Sequence, residues 1–240
     1  MELKEAIVLR SLDYKDSSKI LYLYTDEGLK SVIAHSVKKM NSVNRFLSQN
    51  GNLIRLNYTK SDFPSLKEGE LVNDYPNIKK DLVSYTYMNH ILELVGNTVP
   101  VDSDHVKLYS FIKRLFLLFD EGIDPEVLSF IFELKLLHFL GYGLNFKECI
   151  VCGKKEDLVF SIDNGGLICS EHLTMNQHSY NADVYVNVMK LYVIDIDKTS
   201  IPVIEKNDKI ILRHIIDVLY GDYVSYKTKS RGIIKQIQKY

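Results

Sequence analysis

The sequence predicts an α+β fold in two parts. A small closed β-barrel comes first, and a helical domain with a cysteine-bearing insert follows. Three observations carry this expectation. Residues 1–76 hold five short runs rich in β-branched, aliphatic and aromatic residues, separated by turn residues. From Leu82 onward the apolar residues recur at helical spacing. All three cysteines of the chain fall between Cys149 and Cys169.

The first strand is KEAIVLRSL. SSKILYLYT alternates, which puts Ile20, Tyr22 and Tyr24 on one face and Leu21 and Leu23 on the other. Asp26-Glu27-Gly28 turns the chain, and LKSVIAHSV returns as the second arm of a hairpin. KKMNSVNRFLSQNGN is polar and lacks a period, so it reads as a long loop ending at Asn50-Gly51. NLIRLNYT is a fourth strand, and GELVNDY is a fifth that stops before Pro76. Five short strands with one long basic loop fit an OB-fold, the commonest small barrel with a polyanion-binding face. An SH3-like barrel has a similar strand count.

Helical spacing then takes over at Leu82, Tyr85, Met88, Asn89, Leu92 and Val95, until Gly96-Asn97 and Pro100 stop it. A second helix runs from a cap at Ser103 or Asp104 to Phe119. Asp124-Pro125-Glu126 opens a third, a capping residue followed by proline at the first helical position, and Gly141 and Gly143 end it. This third helix is apolar nearly all round, so it should be central. His138 within it reads as a satisfied core or boundary histidine. Residues 181–196 and 205–220 read as two more helices, the first weakened by its β-branched content. The expected division is a barrel at 1–78 and a helical domain at 79–240, with the insert at 146–175.

Composition limits the function. A chain of 240 residues with 46% hydrophobic and 25% charged residues is globular, and no apolar run approaches the ~18 residues that span a bilayer. The N-terminus carries Glu2 and Glu5 and no apolar signal core, so a cytoplasmic location away from membranes is expected. Net charge is −1, yet its placement is uneven. No acid occurs from Gly28 to Ser61, a stretch holding Lys30, Lys38, Lys39, Arg45, Arg55 and Lys60. With Arg10 on the first strand, Lys30, Lys38, Lys39, Arg45 and Arg55 are the candidate nucleic-acid contacts. A solvated loop is the bland alternative. Tyr22, Tyr24 and Tyr58 either stack bases on the barrel or fill its core. A second acid-free stretch after Asp222 gives the chain a basic tail.

The segment CIVCGKKEDLVFSIDNGGLICSEH has a C-x2-C pair at Cys149 and Cys152, a hairpin signal at Asn164-Gly165-Gly166, then Cys169 and His172. Two spaced pairs flanking a hairpin read as a zinc ribbon with a Cys149, Cys152, Cys169, His172 ligand set. His178 is a weaker candidate for the fourth ligand, and three reduced cysteines without metal are the alternative. Four available ligands make the zinc structural rather than catalytic, because a catalytic zinc keeps a position open for water. No phosphate-binding loop, dinucleotide fingerprint, H-E-x-x-H or G-x-S-x-G is present, so no enzyme activity is expected.

AIVLRSLDYKDSSKILYLYTDEGLKSVIAHSVKK resembles the opening of RecO, a bacterial family of recombination mediators. FELKLLHFLGYGLNFKECIVCG resembles the family's helix leading into its first zinc knuckle, and KTKSRGIIKQI is similar to its tail. Two departures stand out. His172 occupies a position that is usually cysteine, and the loop keeps Lys38 and Arg45 with less charge around them. Some members lack the cysteines altogether, so zinc is not essential to the family's activity. The resemblance implies an OB-fold barrel followed by an α-helical domain carrying a zinc-ribbon insert, in a nucleoid-associated cytoplasmic protein. It implies binding of single-stranded and double-stranded DNA, annealing of complementary strands, and cooperation with RecR and the tail of single-strand-binding protein. Through these it implies loading of RecA, without catalysis of bond breaking. The competing expectation is a zinc-ribbon and OB-fold nucleic-acid-binding factor with no recombination role; a metal-dependent hydrolase is a third.

Overall fold

A computed structural model describes residues 3–174 and 178–237. They form two compact units, one comprising the chain up to Pro125 and again from Lys227, the other Glu126–Tyr226. The step from strands to helices after Pro76 is therefore a change of secondary structure inside the first unit. The units divide later, at Pro125, and the chain end returns to the first.

The first unit opens with β1 (Lys4–Tyr14), β2 (Ser18–Thr25) and β3 (Gly28–Ala34), followed by α1 (Val43–Leu47), β4 (Leu53–Tyr58) and β5 (Leu66–Asn73). The antiparallel sheet has the order β3-β2-β1-β4-β5. A parallel bridge between Ile33 and Ser65 joins its two edges, with the Ile33 N–H donating to the Pro64 carbonyl at 2.8 Å. Closure in this order is the OB-type barrel. Its interior holds Ala6, Val8, Leu21, Leu23, Val32, Ala34, Ile54, Leu56 and Leu66, plugged by Val37 and by Leu47 of α1. The stretch read as an unstructured loop thus contains a short helix. Its apolar anchor Leu47 is a single residue, too little to register as a period.

β1 is buried on both faces. Ala6 and Val8 point into the barrel, while Ile7 and Leu9 point outward and are equally covered. The cover comes from α3 (Leu82–Thr98), which packs against β1, and from α4 (His105–Asp120), which packs against β2. A short α2 (Pro76–Lys80) precedes them, unforeseen from spacing because five residues cannot show a helical period. Asp81 caps α3 by accepting from the Ser84 N–H at 2.8 Å, and Asp104 caps α4 by accepting from the Lys107 N–H.

Tyr24 settles one alternative. It lies on the outer face, as the alternation requires, but is fully buried beneath α4. Its hydroxyl lies 3.1 Å from His105 Nδ1, and its ring sits edge-on to His105 and tilted against Tyr109. Tyr24 is a core residue and stacks no base. Tyr58 packs half-buried against the barrel interior.

The basic tail is a helix, α8 (Lys229–Ile237), packed on α3. Glu93 of α3 accepts from the Lys229 N–H at 2.6 Å and the Ser230 hydroxyl at 2.6 Å, placing a carboxylate at the positive end of α8. Thr228 accepts from the Arg231 N–H and contacts His90 Nδ1 at 2.6 Å. Both anchors lie more than a hundred positions upstream, so local pattern could not reveal them.

The second unit is built around α5 (Pro125–Phe139), buried nearly throughout as its all-round apolar sequence requires. A hairpin of β6 (Leu158–Ser161) and β7 (Gly166–Cys169) follows, with a short β8 (Ser179–Tyr180) on β6. Then come α6 (Ala182–Val193), α7 (Lys206–Leu219) and a π-helical turn at Tyr220–Val224. His138 is exposed, with Nδ1 2.9 Å from the Tyr192 hydroxyl, a satisfied boundary histidine.

Glu133 and Arg213 form a buried charged pair in this unit. Arg213 of α7 grips the Glu133 carboxylate of α5 with two nitrogens, at 2.6 and 2.7 Å. Ser129 donates to the same carboxylate at 2.9 Å, Asp217 accepts from Arg213 Nε, and the Tyr220 hydroxyl donates to the Glu133 carbonyl. Removing one charge strands the other in an apolar core. Glu133→Ala should therefore cost about 3–5 kcal/mol. Glu133→Leu combined with Arg213→Met should recover most of that loss. Urea unfolding measures both, and a single-variant cost below about 1 kcal/mol would contradict the burial argument.

Candidate nucleic-acid interface and metal centre

One end of the barrel gathers positive charge. β2 begins and β3 ends there, with Lys19 paired to Ala34 in register. The chain leaving β3 is tied to that end by the Lys38 N–H, which donates to the Ser17 carbonyl at 3.2 Å. The α1 segment then presents Arg45, Ser48 and Gln49 about one helical turn apart. A groove of about 690 Å³ results, lined by Ser11, Lys19, Lys38, Arg45, Gln49 and Lys79, with Tyr85 of α3 at its side.

Three of its four cations, Lys38, Lys19 and Lys79, are held differently. Lys38 pairs with Asp13 at 3.0 Å, and that hydrogen bond holds the Asp13 carboxyl below the usual carboxylate range. Both partners are exposed, so the pair is weak and a phosphate can displace it. Lys19 reaches Asp13 only at 4.0 Å. Lys79 bonds to the amide oxygens of Asn52 and Gln49. Burial pushes its ammonium below the ordinary range, against the pull of Asp74. An ammonium whose bonded partners are neutral amides keeps its charge available to an anion.

The six expected contacts do not form one face. Lys38 and Arg45 line the groove, and Lys39 is exposed on the same segment. Arg10 is on the barrel's outer wall, its guanidinium 4.1 Å from the centroid of the Tyr22 ring, the residue it pairs with in register. Lys30 pairs in register with the inward-facing Leu23, toward the hairpin end of the barrel. Arg55 is held on the outside between Glu5 at 3.6 Å and Glu70 at 3.2 Å, its two register partners. Lys113 of α4 also engages Glu5, at 2.6 Å. Lys19 and Lys79 were not anticipated. The only sequence signal for Lys79 was the Lys79-Lys80 pair just past the fifth strand, outside the acid-free stretch.

The second unit holds the cysteine cluster. Cys149, Cys152, Cys169 and His172 place their donor atoms all within 4.8 Å of one another. Cys152 Sγ is 3.8 Å from Cys169 Sγ, and His172 Nδ1 is 3.2 Å from Cys169 Sγ and 4.0 Å from Cys149 Sγ. A tetrahedral zinc with bonds of about 2.3 Å to sulfur and 2.0 Å to nitrogen needs donor separations of about 3.5–3.8 Å. The Cys–Cys and Cys–His separations, 3.2 to 4.0 Å, bracket that range, so the set is compatible with such an ion. Gly153 makes the first knuckle at φ +76°, where any side chain would be strained. The Gly153 N–H donates back to the Cys149 carbonyl at 2.8 Å. Burial pushes the Cys149 thiol up, but hydrogen bonding from the backbone of Cys152, Cys169 and Val151 outweighs it and brings the thiol down to about 6. A thiol of that kind is a ready metal ligand. His178 lies outside the cluster, its N–H donating to Asp163 at 2.7 Å. Glu171 faces away, toward Lys154 at 3.3 Å.

Family models divide the chain between residues 75 and 79, near where strands give way to helices. The family model described as Recombination protein O N terminal matches residues 1–75, and that described as Recombination protein O C terminal matches residues 79–231. The chain belongs to the RecO family. A DNA repair protein RecO of Exiguobacterium sibiricum is 31% identical over 97% of this chain and 96% of its own length. RecO proteins of Bacillus cereus and Bacillus anthracis are each 29% identical, over 98% of this chain and 97% of theirs. No described helix is long and apolar enough to cross a membrane.

The cluster predicts how this RecO chain responds to loss of its histidine. His172→Ala should lower both the metal bound per chain and the thermal midpoint, and His172→Cys should restore both. Elemental analysis beside thermal melts measures this. Wild-type metal content in His172→Ala would remove His172 from the ligand set.

Proposed function

We propose that this RecO protein is a recombination mediator that binds single-stranded and double-stranded DNA in the cationic groove and anneals complementary strands. On this reading it works with RecR and with the tail of single-strand-binding protein, and helps to place RecA on coated single strands. It breaks no covalent bond and acts in the cytoplasm at the nucleoid. The cysteine cluster holds a structural zinc. Zinc would supply no reaction chemistry there; all four coordination positions are taken by protein donors, and the ion would join the two knuckles of the hairpin.

The observation that carries the proposal is the convergence of Lys19, Lys38, Arg45 and Lys79 on one groove of an OB-type barrel, in a near-neutral chain. Phosphate neutralisation by such a cluster gives sequence-independent affinity that falls with salt. Annealing needs two backbones to have their charge screened on one surface, and needs no nucleotide hydrolysis.

The direct test is annealing of complementary oligonucleotides without ATP, with the wild-type chain accelerating pairing. A chain that binds strands without accelerating their pairing favours the plain nucleic-acid-binding factor over the mediator. Replacing Lys19, Lys38, Arg45 and Lys79 together by glutamine should flatten the salt dependence of single-strand affinity by roughly 3 units of slope, at about 0.7 for each phosphate contact. Arg55→Gln should leave the slope unchanged, because Glu5 and Glu70 already engage that guanidinium. A slope unmoved in the fourfold variant rejects the groove.

A further inference from the structure

Beside the groove the chain exposes large apolar side chains at regular intervals. Met40, Val43 and Phe46, spaced three apart, are 80%, 65% and 60% exposed. Single exposed hydrophobics are ordinary on a protein surface, but here three fall within seven residues, between Lys38 and Gln49 of the groove lining, and Val43 and Phe46 share one face of α1. Phe46 directly follows Arg45, which lines the groove, and directly precedes Leu47, which is buried in the barrel. The backbone between them is fixed. The Phe46 carbonyl accepts from Asn52 Nδ2 at 2.7 Å, and the Arg45 carbonyl accepts from the Ser48 hydroxyl at 2.9 Å. The ring is thus presented to solvent by a segment anchored on both sides.

We propose that Met40, Val43 and Phe46 form an apolar ledge on which unpaired bases of a single strand rest, with the Phe46 ring as the stacking platform. The proposal rests on the reading of the groove as the DNA site. Charge argues for this occupant. The ledge lies in the stretch from Gly28 to Ser61 that contains no acid, and is flanked by Lys38, Lys39 and Arg45. A strand whose phosphates lie on Lys38 and Arg45 brings its bases within reach of the neighbouring ring. Base–aromatic stacking beside a basic groove is how proteins hold single strands without reading sequence. A duplex keeps its bases stacked on each other and offers the ledge nothing comparable. The ledge therefore gives the barrel a preference for single strands, which phosphate contacts alone cannot supply.

The test compares a single-stranded oligonucleotide with a duplex of equal length, using the full chain. Phe46→Ala should weaken single-strand binding roughly five- to a hundredfold, leave duplex affinity within about twofold, and leave the salt slope unchanged. Phe46→Leu, apolar but without a ring, should behave like Phe46→Ala. Phe46→Trp should retain affinity. The chain contains no tryptophan, so that variant carries a single one, whose emission under selective excitation should be quenched by the single strand and not by the duplex. Equal losses on both substrates, an unquenched tryptophan, or full affinity in Phe46→Leu would overturn the ledge while leaving the groove standing. So would a wild-type dimer that Phe46→Ala converts to monomer, since a second copy would then cover the ledge. A wild-type chain that binds neither DNA form rejects the groove and the ledge together.

Discussion

The first strand has no solvent-facing side along Ala6-Ile7-Val8-Leu9, and much of the first unit follows from that. An ordinary barrel strand hides alternate residues. Here each of Ile7, Val8 and Leu9 is covered, at about 1.5–3 kcal/mol of stabilisation per side chain. Two inward residues build the barrel, and two outward residues require a second layer. α3 supplies it, approaching closely enough that a Cβ added at Gly96 would meet Leu9 Cδ1 at 3.4 Å. Once α3 is seated, α8 has a surface to pack on and Glu93 has a helix end to cap. The barrel and its helical cover thus share one core strand, which is why they form a single compact unit.

The same constraint explains what could be read from the sequence. Alternation in SSKILYLYT gave the right faces for Leu21 and Tyr22, because that pattern reports the local pleat. It could not say that the outer face carries only the Arg10 guanidinium over a half-buried Tyr22 and is fully covered at Tyr24. That difference depends on His105 and Tyr109, some eighty residues further on. α5 was legible as central because it is apolar on every side. α8 was not, because its burial depends on Glu93 and His90 and its own sequence is mostly polar and basic. Spacing alone identified Cys149, Cys152, Cys169 and His172, since knuckles deliver their ligands through short-range geometry. The groove cations come from three separate segments, and only the fold brings Lys19 and Lys79 to Lys38 and Arg45.

The cysteine cluster and the groove also differ in how their chemistry is prepared. At Cys149, backbone hydrogen bonds from Cys152 and Val151 in the knuckle and from Cys169 across the hairpin lower the thiol, so knuckle and hairpin together prepare the ligand. The hairpin that carries the cluster is packed into its own unit: Phe146 stacks on Phe160 of β6 and leans on Tyr192 of α6.

Counting cations along the chain treats Arg55 and Lys38 as equals, and the structure separates them. Arg55 sits between two carboxylates placed opposite it by strand register, and a phosphate would have to replace both. Lys38 has one exposed partner, and the attraction between such surface ions is worth at most about 1 kcal/mol. Lys79 has no carboxylate bonded to its nitrogen, and its partial burial makes its charge less screened than a surface lysine's. Available charge is therefore a property of what surrounds each cation. A chain with a net charge of −1 can hold a polyanion wherever its acids are matched elsewhere, and Glu5 and Glu70 are matched by Arg55 outside the groove.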